Sequence, residues 1–173
     1  MAVYVHWPYC ARICPYCDFN VVRDRGRVEE QAALVDAILT DLEAQAALAG
    51  PRRLASIFFG GGTPSLMAPE AVAAVVERAR ALFPARGDIE ITLEANPTDA
   101  EADRFAALAG AGVNRLSMGV QALDDAALAF LGRNHSADEA RRAVVAAGRV
   151  FDRLSIDLIY ARPARRWTAG PPN

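Results

Sequence analysis

The apolar positions of the chain follow two different periods that alternate along its length. Short runs rich in β-branched and aromatic residues predict five strands. These strands are expected at residues 3–6, 56–59, 89–94, 115–120 and 154–159. Longer segments with a helical period separate them, so the predicted order is strand, helix, strand, helix throughout. Strands separated by helices are joined by right-handed crossovers, and the sheet they form is parallel.

The first two helical segments each show one apolar face. In the first, Val35, Ile38 and Leu42 share a face, and Gly50 with Pro51 marks its end. The second is expected to begin near Pro69. The apolar positions on its common face are Val72, Val75, Val76, Ala79 and Leu82.

Two further helices are predicted from capping boxes, in which a hydroxyl and a carboxylate satisfy free backbone N–H groups at a helix start. One is Thr98 with Glu101, and the other is Ser136 with Glu139. A parallel sheet of this kind is either doubly wound or a β/α barrel. Five strands are too few to close an eight-stranded barrel. The sequence therefore predicts an α/β fold with a partial, open barrel over residues 1–160.

Composition narrows the class of protein. A hydrophobic share of 53% and a charged share of 23% exclude intrinsic disorder. No run of 18 apolar residues is present, so no transmembrane segment is predicted. The net charge of −2 gives no reason to expect a nucleic-acid partner. The first ten residues show no secretory signal, so a reducing cytoplasm is the expected location.

Three cysteines, Cys10, Cys14 and Cys17, follow the first predicted strand within eight residues of one another. Their odd number and close spacing argue against a disulfide framework and favour metal. Three thiolates on a cubane iron-sulfur cluster leave one iron open to a substrate or cofactor. The alternative is a structural zinc site of three cysteines completed by His6 or His135. The spacing leaves both possibilities open.

A glycine-rich segment, residues 60–64 (GGGTP), follows the second predicted strand. Backbone without side chains lets a ligand come close, and its N–H groups are expected to point outward. A plain tight turn is the alternative. The segment is not a dinucleotide fingerprint, because G-x-G-x-x-G is absent.

Several polar residues fall at or near strand ends, where the working residues of β/α barrels collect. They are Glu94, Gln121 and Asp157. Taken singly, such a residue is often a solvated or capping group. Arg133 is a candidate clamp for a carboxylate, although an exposed arginine before a helix is the plainer interpretation. His135 is expected to be structural.

With these residues in place, the chain resembles the radical S-adenosylmethionine (SAM) superfamily. The resemblance rests on C-x₃-C-x₂-C after the first strand, on FFGGGTPSL, ITLEANP, NRLSMGVQALDD, LGRNHSADEA and SIDLIY. It covers residues 3–160. Within the superfamily these strings are similar to the branch that holds oxygen-independent coproporphyrinogen III oxidase and the HemW-type haem chaperones.

The resemblance implies a four-iron four-sulfur cluster held by Cys10, Cys14 and Cys17, with SAM on the open iron. Six residues match family positions that contact this SAM: Tyr4, Tyr16, Gly61, Gly62, Thr63 and Glu94. Glu94 would accept hydrogen bonds from the ribose. Three more match positions that line a second SAM site in the oxidase branch: Gln121, Arg133 and Asp157.

The oxidase branch carries a further cysteine two residues after the third ligand, where this chain has Phe19. This difference favours the chaperone branch, for which haem and a haem-acceptor protein are the implied partners. Two alternatives stay open. One is an oxygen-independent coproporphyrinogen III oxidase, and the other is an inactive iron-sulfur or zinc-binding fragment.

The likeness to the family ends at Tyr160, and residues 161–173 carry three arginines and no acid. One synonymous codon choice for residues 161–171, shifted by two nucleotides, encodes the Gln-Thr and Trp found there in family members. A frameshift near codon 161 is therefore expected. The chain would then lack the last barrel strand and the C-terminal region, and little or no activity is expected of it.

Overall fold

A computed structural model describes residues 1–99 and 102–161. The strands it contains are β1 (Ala2–Trp7), β2 (Tyr9–Cys10), β3 (Val22–Arg23), β4 (Ser56–Gly61), β5 (Glu90–Ala95), β6 (Arg115–Gln121) and β7 (Arg153–Leu158). Five of these form one sheet in the order β1-β4-β5-β6-β7, and each neighbouring pair is parallel. They are the five predicted strands, with ends that differ by at most two residues. The prediction of an open α/β barrel of about five strands is confirmed.

The helices are α1 (Val28–Ala49), α2 (Pro69–Leu82), α3 (Ala102–Gly110), α4 (Asp125–Phe130) and α5 (Ala137–Gly148). Each pair of adjacent strands in the sheet is joined through at least one helix, as the alternation of periods predicted. Short 3₁₀ turns at Pro64–Leu66 and Pro97–Asp99 follow the second and third strands of the sheet. No helix in the described ranges is both long and apolar enough to cross a membrane.

Local signals account for several helix ends. Gly50 closes α1 with φ 65°, a left-handed conformation that glycine adopts without strain. At the start of α5, Ser136 and Glu139 form the predicted capping box, in which each side chain accepts from the other residue's backbone N–H. The other predicted box ends at Glu101, which lies outside the described residues. The short α4 was not predicted; its N-cap is Asp124, whose side chain accepts from Ala127 N at 2.8 Å.

The core lies between the sheet and the helices. Its strand residues include Ile57 and Phe59 in β4 and Ile91 and Leu93 in β5, all of them buried. The predicted face of α2 packs on them: Val72, Val75, Val76 and Ala79 are buried and Leu82 is partly buried. In α1 the predicted face is looser, because Leu42 is its one buried residue and Val35 and Ile38 are partly buried.

The opposite face of the sheet is polar and leads to the carboxyl ends of the strands. Glu94 of β5 stands beside Ser117 of β6 in the parallel register. Ser117 in turn lies beside Ser155 of β7, two residues before Asp157. This face of the sheet therefore presents polar side chains, whereas the other face packs against the helices and forms the core. Of the predicted tail at 161–173, residues 162–173 lie outside the described part of the chain.

Candidate functional site

The segment between β1 and β3, residues 8–21, carries the three cysteines and is called the cysteine loop. One cavity joins this cysteine loop to the carboxyl ends of the strands. Every site residue predicted from the sequence lines this cavity except Tyr4. Those residues are Cys10, Cys14, Tyr16, Cys17, Gly61, Gly62, Thr63, Glu94, Gln121, Arg133 and Asp157. The fold thus brings together residues that are up to 147 positions apart in the sequence. This convergence is the arrangement expected of a β/α barrel site.

The cysteine loop leaves the sheet at the end of β1 and is tied back by the small parallel pair β2 and β3, in which Cys10 stands beside Arg23. A turn brings Cys17 N to Cys14 O at 3.0 Å. All three cysteines are free thiols; Cys10 is buried, while Cys14 and Cys17 are half-buried. Burial raises the pKa of the Cys10 thiol, and a side-chain hydrogen bond with Thr63 opposes that rise.

Neither histidine considered for a zinc site lines the cavity with the cysteines. The ring of His6 bonds to the Tyr4 hydroxyl at 3.1 Å and to Asn20 O at 2.9 Å. The ring of His135 is buried, and its Nε2 lies 3.2 Å from Val120 O, as a structural histidine would. Among the described residues, no three His, Cys, Asp or Glu side chains are grouped around one metal-ion position.

Arg133 faces the cysteine loop rather than solvent. Its Nη1 donates to Cys14 Sγ at 3.2 Å and to the Tyr16 hydroxyl at 3.5 Å, and its Nη2 donates to Gly119 O at 2.9 Å. Nη2 also donates to Asn96 Oδ1. Burial raises the pKa of Tyr16 to about 12, against the opposing charge of Arg133. Arg133 is therefore not a freely exposed arginine before a helix, and its role as a clamp for a carboxylate stays a prediction.

The glycine segment differs from what the sequence predicted. The N–H of Gly61 donates to Glu94 Oε2 at 3.1 Å, that of Gly62 to Trp7 O at 2.7 Å, and that of Thr63 to Tyr9 O at 2.8 Å. The expectation that these groups point outward to a ligand is wrong. They bond inward instead, to Glu94 of β5, to Trp7 at the end of β1 and to Tyr9 just after it.

Close approach explains why glycine is needed here. A Cβ on Gly61, whose φ is 109°, would lie 2.6 Å from the ring of His6. A Cβ on Gly62 would lie 2.6 Å from Tyr9 O and 2.8 Å from the carbonyl carbon of Pro8. The glycines therefore let the backbone before Cys10 pack directly on the end of β4.

Glu94 is held at the end of β5 by its bond from Gly61. Burial raises the pKa of its carboxyl, and that bond opposes the rise. Tyr4 belongs to the edge strand β1 and lines a separate cavity against α1. Burial and then the charge of Glu94 raise the pKa of the Tyr4 phenol, so the two side chains are electrostatic neighbours.

The two remaining candidates sit at the ends of β6 and β7. Gln121 has φ 69°, a left-handed conformation at an irregularity of the strand pairing between Met118 and Gln121. Such strain in a residue other than glycine is characteristic of functional sites. Asp157 accepts from the Ser117 hydroxyl at 3.4 Å.

Several residues that line the cavity were not predicted from the sequence. Asn96 and Ser117 belong to the cavity wall, while Arg12, Ile13 and Phe19 line it from the cysteine loop. The usable signal for Asn96 was its place directly after the strand that carries Glu94. Ser117 could have been found from the alternation along β6, which puts its side chain on the polar face.

The family is decided by comparison with known proteins. The sequence-family model of the radical SAM superfamily matches residues 4–164 of the chain. The chain belongs to this superfamily. The family prediction from the cysteine spacing and the strand-end segments is thereby confirmed.

Two curated radical SAM relatives are especially informative. The mitochondrial radical S-adenosyl methionine domain-containing protein 1 of Bos taurus is 48% identical over 166 residues, which are 95% of this chain and 37% of the relative. The haem chaperone HemW of Escherichia coli is 42% identical over 164 residues, 94% of this chain and 43% of the relative. The chain therefore spans about two fifths of the length of these relatives.

Among solved structures, coproporphyrinogen III oxidase (HemN) of Escherichia coli, a radical SAM enzyme, superposes with a TM-score of 0.83. The identity is 28%, and the match covers 95% of this chain and 38% of that one. The predicted resemblance to the branch that holds HemW and this oxidase is thereby confirmed.

Proposed function

We propose that Cys10, Cys14 and Cys17 hold a four-iron four-sulfur cluster and that SAM binds between this cluster and the strand ends. The observation that carries this proposal is the meeting of three free thiols with Arg133 and the strand-end polar groups in one cavity. When bound, the cluster supplies one electron to the sulfonium of SAM, the chemistry common to the superfamily.

The residues present fit these two groups. Three thiols on one loop match a cluster that takes cysteine ligands and leaves one iron for a cofactor. The Nε of Arg133 is buried without a hydrogen-bond partner among the described residues. An unpaired guanidinium N–H of this kind suits a ligand that brings an acceptor, such as the carboxylate of SAM.

Each of the other candidates has a role that its surroundings support. The carboxylate of Glu94 is anchored by Gly61 N and is suited to accept from ribose hydroxyls. Tyr16 packs beside Cys14 and Arg133 and helps to exclude water from the thiolates. Gln121 and Asp157 would contact SAM, or a second SAM, from the far side of the cavity. Tyr4 would contact SAM from the edge strand β1.

For the whole protein we propose a haem chaperone of the HemW type. The relatives named above support this, and so does Phe19, which is 63% exposed and lines the cavity where the oxidase branch has a cysteine. Haem and a haem-acceptor protein are the proposed partners. The cytoplasm stays the proposed location, although relatives include proteins named as mitochondrial.

Metal and sulfide analysis tests the cluster assignment. After anaerobic reconstitution with iron and sulfide, the wild-type chain should carry about four iron and four sulfide. Cys10→Ala, Cys14→Ala and Cys17→Ala should each lose both together, whereas Thr40→Ala, on the exposed side of α1, should keep both. Stoichiometric zinc without labile sulfide in the wild type would refute the assignment.

A second assay separates the chaperone from the oxidase. The reconstituted chain is incubated under argon with coproporphyrinogen III, SAM and a reductant, and haem is titrated in parallel. A change in the haem spectrum with no porphyrinogen product supports the chaperone. Protoporphyrinogen formed over many turnovers would contradict it.

A further inference from the structure

A continuous chain of hydrogen bonds links two of the three cysteines through a residue that has no assigned role. Arg133 donates from Nη1 to Cys14 Sγ at 3.2 Å and from Nη2 to Asn96 Oδ1. Asn96 Nδ2 donates to Thr63 Oγ1 at 3.0 Å. Thr63 makes a side-chain hydrogen bond with Cys10. Asn96 is therefore the centre of a connection from Cys14 to Cys10.

The chemistry of the groups fixes the direction of this chain. A guanidinium only donates, so the amide of Asn96 must turn its oxygen toward Arg133 and its NH₂ toward Thr63. The hydroxyl oxygen of Thr63 then accepts, and its hydrogen is left for the sulfur of Cys10. Every bond thus points from the cation toward a sulfur, and bonds aligned in this way strengthen one another.

The position of Asn96 in the fold suits it to this role. It directly follows β5 and precedes Pro97, and the residue before a proline is restricted to extended conformations. Thr63 follows β4, and Arg133 is also held by Gly119 O of β6. The half-buried amide of Asn96 therefore ties together the ends of three neighbouring strands.

We propose that Asn96 is a positioning residue that sets the hydrogen bonds reaching Cys10 and Cys14 and thereby the reduction potential of the cluster they hold. This inference rests on the proposed cluster assignment. Hydrogen bonds to the sulfurs stabilise the more negative, reduced state and so raise the potential of an iron-sulfur cluster. Loss of the amide removes one of the partners that orient Arg133 and the side-chain donor to Thr63, which weakens the bonds to both sulfurs.

The test is a potentiometric titration of the reconstituted full chain, followed by electron paramagnetic resonance (EPR). Asn96→Ala should bind the same amount of iron and sulfide as the wild type. Its reduction equilibrium should shift about tenfold toward the oxidised cluster, which is about 59 mV for one electron. Asn96→Asp retains an acceptor for Arg133 but no donor for Thr63, so its potential should also fall while Cys14 keeps its bond.

Asn114→Ala is the matched control. Asn114 also spans backbone groups of the β5 region, with Oδ1 accepting from Ile91 N at 2.9 Å and Nδ2 donating to Ile89 O at 2.7 Å. It lies at the other end of the strand from the cysteines. This variant should lose thermal stability and keep the wild-type potential.

The three variants and the wild type together test both the role of Asn96 and the cluster assignment. Wild-type potentials in both Asn96 variants would overturn the role of Asn96 while leaving the cluster assignment intact. An equal shift in Asn114→Ala would reduce the effect to general destabilisation and overturn it as well. A wild-type chain that takes up no cluster would overturn the proposed function itself and this inference with it.

Discussion

Gly62→Ala is the substitution for which the structure gives the sharpest expectation. The new Cβ would lie 2.6 Å from Tyr9 O and 2.8 Å from both C and O of Pro8. Carbon atoms pack favourably at about 3.5–4.0 Å, so the backbone before Cys10 must move away by roughly half an ångström or more. These obstacles are backbone atoms, which cannot rotate aside as a side chain would. The strain of such overpacking is typically about 1–3 kcal/mol.

This movement would also weaken the hydrogen bond from Gly62 N to Trp7 O, which is 2.7 Å long. We therefore expect Gly62→Ala to lower the free energy of unfolding of the apoprotein by about 1–3 kcal/mol, measured by urea titration with circular dichroism. Because Cys10 is displaced with this backbone, cluster loading should fall as well.

Gly148→Ala is the control for this experiment. It ends α5 and a Cβ there would meet nothing within 4 Å. Alanine at such a position should leave stability unchanged or raise it by up to about 1 kcal/mol. If Gly62→Ala proved as stable and as well loaded as Gly148→Ala, the close approach of the cysteine loop to β4 would be refuted.

Substitutions at three other positions test separate features of the structure. Burial, and then the charge of Arg133, lowers the pKa of His135 below its ordinary 6.5. The folded chain therefore favours the neutral ring. It loses stability as the pH falls through 6.5, where this histidine takes up a proton in the unfolded chain. The urea midpoint should accordingly fall less between pH 7.5 and 5.5 in His135→Gln than in the wild type; parallel falls would contradict this. Ser136→Ala removes the cap of α5 and should lower the free energy of unfolding in urea by about 1 kcal/mol. An unchanged free energy of unfolding would mean that the capping box does not stabilise the fold. Gln121→Gly should be more stable than Gln121→Ala by about 1 kcal/mol because φ is positive there; the reverse order would argue against the strain.

The elements that the sequence predicted well are those with a strong period or a local chemical signal. The face of α2 was evident from its apolar spacing, and the cap of α5 from Ser136 and Glu139. The short α4 escaped because six residues give too little period to recognise. The pair β2 and β3 escaped for the same reason, since each strand has two residues.

The site was predictable where its residues follow strands and unpredictable where it depends on contacts. The convergence of Glu94, Gln121 and Asp157 follows from parallel strands ending at one edge. The inward bonds of the glycine segment depend on how the loop after β1 folds back, which no local pattern encodes. The link from Arg133 through Asn96 to Thr63 likewise joins residues 37 and 33 positions apart.

The most direct test of the central claim is EPR spectroscopy of the reconstituted, reduced chain with and without SAM. The reduced chain should show the signal of a reduced four-iron cluster. This signal should change when SAM is added, because the three cysteines leave one iron for the cofactor. Glu94→Gln should require more SAM to produce the same change. A spectrum without a cluster signal, or one that SAM leaves unaltered at saturating concentration, would contradict the assignment of this cavity.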